Sequence, residues 1–132
     1  MRKTIFLSFY LAAFFAFVSC QNIQRHKNIE AESIEKNVDT NAPDNEICSS
    51  FSVTRKDIEK YFSVAQETDE FEFNEKALIL PCSFQGTIRI NGKILKWKVY
   101  AGGAGYLYND KTVNKRYLCD ENCCKAIPNI CR

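Results

Sequence analysis

Seven cysteines in 132 residues restrict the folds open to this chain more than any other feature, and four of them close it in "YLCDENCCKAIPNIC". Cysteines so placed hold a metal, carry thiol redox chemistry, or cross-link the fold. Structural zinc sites favour paired C-x2-C spacing with Cys or His completing four ligands. Here the spacing is C-x3-C-C-x6-C, and the only histidine, His26, lies far away in sequence. Redox catalysis usually employs C-x-x-C, which this stretch lacks. Cross-linking is the reading to expect, with no metal and no cofactor, and it carries a condition: disulfides belong to oxidising, extracytoplasmic compartments.

The amino terminus meets that condition. "MRKT" is a basic n-region, "IFLSFYLAAFFAF" an apolar h-region, and "VSCQ" brings small residues and Cys20 where the apolar run stops, which is signal-peptide anatomy. From Ile5 to Val18 the run is 14 residues, short of the roughly 20 that span a bilayer. The stretch "FVSC" resembles the lipobox of bacterial lipoproteins, with Val18, Ser19 and Cys20 on the pattern. The resemblance implies cleavage after residue 19, acylation of Cys20, and a protein of the bacterial cell envelope. Such a protein would be anchored to the membrane by lipid, at the outer membrane on its periplasmic or surface side. Stable anchoring of this kind takes two or more acyl chains. Six cysteines then remain for disulfides, Cys48, Cys82, Cys119, Cys123, Cys124 and Cys131. They allow 15 pairings, among which sequence does not choose. The adjacent Cys123 and Cys124 would tie the carboxyl-terminal tail to two different partners.

Three segments are expected: a signal peptide over 1–19, a lipidated flexible tether over 20–46, and one cysteine-rich domain over 47–132. The tether is polar, lacks aromatic residues and ends in turn formers. The domain opens with a helix, because Thr54 and Asp57 stand at capping-box spacing and Val53 with Ile58 forms a hydrophobic staple. Ile58, Tyr61, Phe62 and Ala65 then recur at helical spacing as one apolar stripe. In "ETDEFEFNE", Phe71 and Phe73 alternate with acids as in an edge strand or extended loop. Asn91-Gly92 is the preferred centre of a two-residue hairpin turn. Across that turn Ile88 faces Leu95, Gly86 faces Trp97, Phe84 faces Val99 and Cys82 faces Ala101, all on one side of the sheet. Gly86 would leave room for the indole. "AGGAGYLYNDKTVNKRYLC" reads as a glycine corner, a strand, a turn and a further strand. The fold expected is α+β: one amphipathic helix on a small antiparallel β-meander of about four strands, disulfide-stapled.

Function is less legible. Removing Arg2 and Lys3 with the signal peptide leaves the basic residues equal in number to the 16 acidic ones. That balance argues against nucleic acid as a partner, since phosphate binding leans on excess positive charge. Nucleophilic catalysis calls for a base beside Ser or Cys, and the sole histidine falls in the tether. Asp57, Glu59, Glu70 and Glu72 keep carboxylate acid–base chemistry open, so a small cell-wall or envelope hydrolase is the alternative reading. The favoured one is a non-enzymatic binding module with no catalytic residue, recognising an envelope protein or glycan, with an inhibitor or immunity factor as one form. Its candidate binding face is the polar side of the hairpin with the neighbouring tyrosines: Arg89, Lys96, Lys98, Tyr100 and Tyr106.

Overall fold

The computed structural model of the protein describes residues 27–110 and 112–131; the segment expected to be a signal peptide, Cys20 and His26 lie outside them. The core of the fold is the expected hairpin, β4 (Cys82–Ile90) with β5 (Lys93–Tyr100). Asn91 and Gly92 both take positive φ, 50° and 81°, as a type I′ turn requires. The register pairs Ile88 with Leu95, Gly86 with Trp97 and Phe84 with Val99, and the Ala101 amide donates to the Cys82 carbonyl. β6 (Gly105–Asn109) and β7 (Thr112–Leu118) continue the meander, each antiparallel to the strand before it. Glycines at positive φ, Gly102 and Gly103, form the corner into β6.

One side of this sheet carries the core. Ile88, Trp97, Val99 and Leu107 are buried there beneath α1 (Arg55–Val64). The Thr54–Asp57 capping box forms in both directions, and Ile58, Tyr61 and Phe62 are buried as the stripe predicts. Phe62 meets Trp97 and Tyr117 edge-on, with centroids 6.4 and 5.3 Å away, and the Tyr61 hydroxyl donates to the Gly103 carbonyl at 2.8 Å. Among the described residues the fold is α+β, with three α-helices, one short 3-10 helix and an antiparallel sheet of seven strands.

Two segments depart from the sequence expectation. The first is the tether. Instead of a free chain up to residue 46, β1 (Ile29–Ala31) and β2 (Glu35–Val38) pair with the outer edge of β4. β1 joins in the register Ala31–Ile88 and β2 resumes at Glu35–Gln85, so three edge residues face two on β4 and one residue is bulged. The Thr87 carbonyl accepts from the amides of both Glu32 and Ser33 at this point. Gly86 makes the bulge possible: a Cβ there would lie 2.0 Å from the Ser33 carbonyl oxygen. The space beside Trp97 is therefore filled by Ser33 backbone, while the indole Nε1 donates to the Thr87 carbonyl at 3.2 Å. The edge strands pair because core-side positions Ile29, Ala31, Ile34 and Val38 pack against the buried cluster.

The second is "ETDEFEFNE". Gln66–Thr68 does form a short strand, β3, on β7, but Glu70–Lys76 is a helix, α2. Asp69 caps it by accepting from the Glu72 amide at 2.7 Å, and Lys76 pairs with Glu72 one turn back at 2.8 Å. Residues two apart on a helix point to nearly opposite sides, so Phe73 is 3% exposed and Phe71 75%. Phe73 packs on Tyr106, centroids 4.9 Å apart, which sets α2 on the side of the sheet opposite Trp97.

The tail contains α3 (Glu121–Ala126). Among the described residues three disulfides form, Cys48–Cys82, Cys119–Cys123 and Cys124–Cys131. Cys123 and Cys124 do diverge to different partners, but both partners belong to the tail. Contact with the body comes instead from buried Ile127 and Ile130 and from the Gly102 amide donating to the Ile130 carbonyl. Among the described residues no helix is long and apolar enough to cross a membrane.

Candidate functional site

The five residues expected to form one binding face share the side of the sheet opposite Trp97 but separate into four environments. Arg89 is bound to Glu32 of the bulge, Nε and Nη2 lying 2.9 and 2.8 Å from one carboxylate oxygen. Lys96 stands 3.8 Å from Asp110 at the β6–β7 turn. Tyr106 lies beneath α2, where burial raises its hydroxyl pKa above the ordinary tyrosine value. Lys98 and Tyr100 face open space together, the ammonium 5.0 Å from the ring centroid, and the Tyr106 ring meets that of Tyr100 edge-on with centroids 6.3 Å apart. Arg89 and Lys96 are thus already partnered, and the basic face contracts to Lys98.

In front of Lys98 and Tyr100 lies a groove of about 530 Å³. Its floor is Ser83, Lys98 and Tyr100; one wall is the turn after β2, with Asp39, Pro43 and Asp44; the other is Leu78 to Pro81. The walls join where the Asp39 amide donates to the Pro81 carbonyl at 2.8 Å. Leu78 and Ile79 stand 60% and 52% exposed on the rim. Sequence reasoning did not single out these two. The available signal was an apolar run, "LIL", placed ahead of the strand that begins at Cys82 and thus beyond what the hairpin's pairing requires. The groove is amphipathic: aliphatic on one wall, acidic on the other, with a cation and an aromatic ring between.

The carboxylates that kept acid–base chemistry open each have another partner and do not converge. Asp57 completes the α1 cap, Glu59 accepts from the Ala31 amide at 3.1 Å, Glu72 holds Lys76, and Glu70 lies 4.0 Å from Arg116. The first two sit on α1 and the last two on α2, on opposite sides of the sheet. Tyr61 and Tyr117 have raised pKa values, Tyr117 to about 12, because burial disfavours the phenolate; both are packed in the core. The sulfurs of Cys119, Cys124 and Cys131 lie within 4.8 Å of one another, yet all three are committed to disulfides, and metals are held by thiolate.

No protein-family model, curated protein or solved structure matches the chain.

Proposed function

We propose that the protein is a non-enzymatic binding module of the bacterial cell envelope, anchored through acylated Cys20, whose groove takes a segment of an envelope protein. The observation that carries the binding reading is the juxtaposition of exposed Leu78 and Ile79 with Lys98 and Tyr100 around one groove. Exposed aliphatic side chains rimmed by polar groups mark interaction surfaces, and tyrosine supplies contact area at low entropic cost. The aliphatic wall favours a protein segment bearing an apolar side chain over a glycan, which would engage Tyr100 and the polar groups alone. Three disulfides in so small a domain support an oxidising compartment. The apolar run before Cys20 supports export.

Two experiments separate the anchor from the groove. Fatty-acid labelling in a bacterial host is expected on the wild-type chain and lost with Cys20→Ala; label that survives this substitution overturns acylation there. For the groove, envelope proteins and cell-wall glycan fragments are offered to the purified chain and to Leu78→Ser, Tyr100→Ala and Lys125→Gln. Binding of a protein that weakens with both groove variants and survives at Lys125 supports the reading. Retention of every ligand by the groove variants sinks it, and glycan binding sensitive to Tyr100 but not Leu78 transfers the groove to a carbohydrate.

A further inference from the structure

The pairing of β1 with β4 brings the folded domain close in sequence to Cys20. Lys27, two residues before β1, stands 7 residues beyond Cys20 and 9 beyond the end of the apolar run at Val18. At no more than about 3.6 Å per residue, Lys27 stays within roughly 25–32 Å of the membrane that holds the anchor. The surface around Lys27 is basic. Lys27, Lys93 and Lys115 rim a hollow of about 230 Å³ whose floor includes Leu95 and Leu107. Lys27 also borders a second hollow with Lys56 and Lys60, so five exposed lysines adjoin one another at the end where the chain enters.

The acids at this end are fewer than the lysines: Glu30 on β1 is exposed and in no salt bridge among the described residues, and Glu59 lines the second hollow. Glu67 lies 3.4 Å from Lys115, Asp110 is 3.8 Å from Lys96, and Glu59 accepts from the Ala31 amide. Among the described residues Lys27, Lys56, Lys60 and Lys93 stand in no salt bridge. Ile94, at the same hairpin tip, is exposed. Lysines around an apolar floor match an interface in which ammonium groups meet anionic headgroups and the stems lie against apolar surface.

We infer that this lysine-rimmed end docks on the anionic surface of the membrane that anchors the chain. Docking there fixes which way the domain faces. The groove around Tyr100 opens on the opposite side of the sheet from the hollow, leaving it open to a partner while the domain rests on lipid. The inference rests on the membrane-anchor reading for the distance alone; charge and shape are properties of the folded domain.

Orientation is tested on the full chain, purified from membranes of an expressing bacterium. It is reconstituted into vesicles of phosphatidylcholine alone, or of phosphatidylcholine and phosphatidylglycerol in equal parts. A water-soluble amine reagent then labels lysines, read peptide by peptide. On the anionic vesicles Lys27, Lys56, Lys60 and Lys93 should label roughly fivefold more slowly, the factor matching about one headgroup contact per lysine. Lys98 and Lys125 should be unchanged. Salt near 1 M, where screening falls to about 3 Å, should abolish the difference. Flotation with pure phosphatidylcholine reads the anchor separately. A chain that fails to float there but is protected on anionic vesicles keeps this surface and loses the anchor. One that floats on both and labels alike on both overturns the surface.

Discussion

Lys36 shows how a single residue can be misread without context. In a polar stretch it is a solvated charge; in the fold it pairs with Phe84 across the edge of the sheet, and its ammonium donates to the carbonyls of Cys48 and Phe51. It closes the turn Asn45–Ser49 against the core and so helps hold the first disulfide in place. Lys36→Met keeps the aliphatic stem and removes both donors; it should cost about 1–2 kcal/mol, read as a fall in urea midpoint at constant slope. Tyr117 makes a second prediction at this scale. Its pKa is raised to about 12 from 10.0 by burial. The unfolded chain therefore releases this proton first as pH rises, and the folded state loses its advantage between those values. Stability is unaffected below about pH 10 and declines from there to about 12. A denaturation series across that window should show the decline, shallower in Tyr117→Phe.

At the scale of elements, the bulge decides whether the amino-terminal edge exists. Ile29 and Ala31 point to the core from β1, and Ile34, Lys36 and Val38 do so after it. The core positions change from odd to even numbers across residues 32–34, so no unbroken period of two runs through the segment and it reads as tether. Only the carbonyl of Thr87 and the missing side chain of Gly86 absorb the extra residue. Gly86→Ala should therefore disrupt this edge first. The methyl group meets Ser33 backbone, for a cost of about 1–3 kcal/mol. Hydrogen exchange should quicken in β1 and β2 while β5 and β6 keep their protection; uniform quickening would contradict a role confined to the edge. α2 was hidden for a related reason. Phe71 and Phe73 mimic strand alternation, while the helix signal, Asp69 three residues before Glu72, rests on one cap and on burial of Phe73 against Tyr106.

For the molecule as a whole, the disulfides divide the work unequally. Cys48–Cys82 closes 34 residues and ties the amino-terminal edge to β4, while the tail bonds close 4 and 7. Chain entropy makes the long loop worth about 4 kcal/mol and the short ones about 2 to 2.5. Replacing Cys48 and Cys82 together by Ala should lower the unfolding free energy about one and a half times as far as replacing Cys124 and Cys131, read by denaturant titration under non-reducing conditions. Equal losses would mean that the tail bonds act by docking Ile127 and Ile130 rather than by loop closure alone.

Local physics made part of this protein legible. A type I′ turn, a capping box and an apolar stripe each act within a few residues, so the β4–β5 register, α1 and the α+β class follow from the sequence by itself. The cysteine count pointed to disulfides, but pairing depends on which backbones meet, and that is a property of the packed chain. The bulged edge, α2 and the groove also needed tertiary structure. Their determinants, Gly86 with Ser33, Phe73 with Tyr106, and Tyr100 with Leu78, stand 53, 33 and 22 residues apart. No periodicity spans such distances; the sheet that brings them together does.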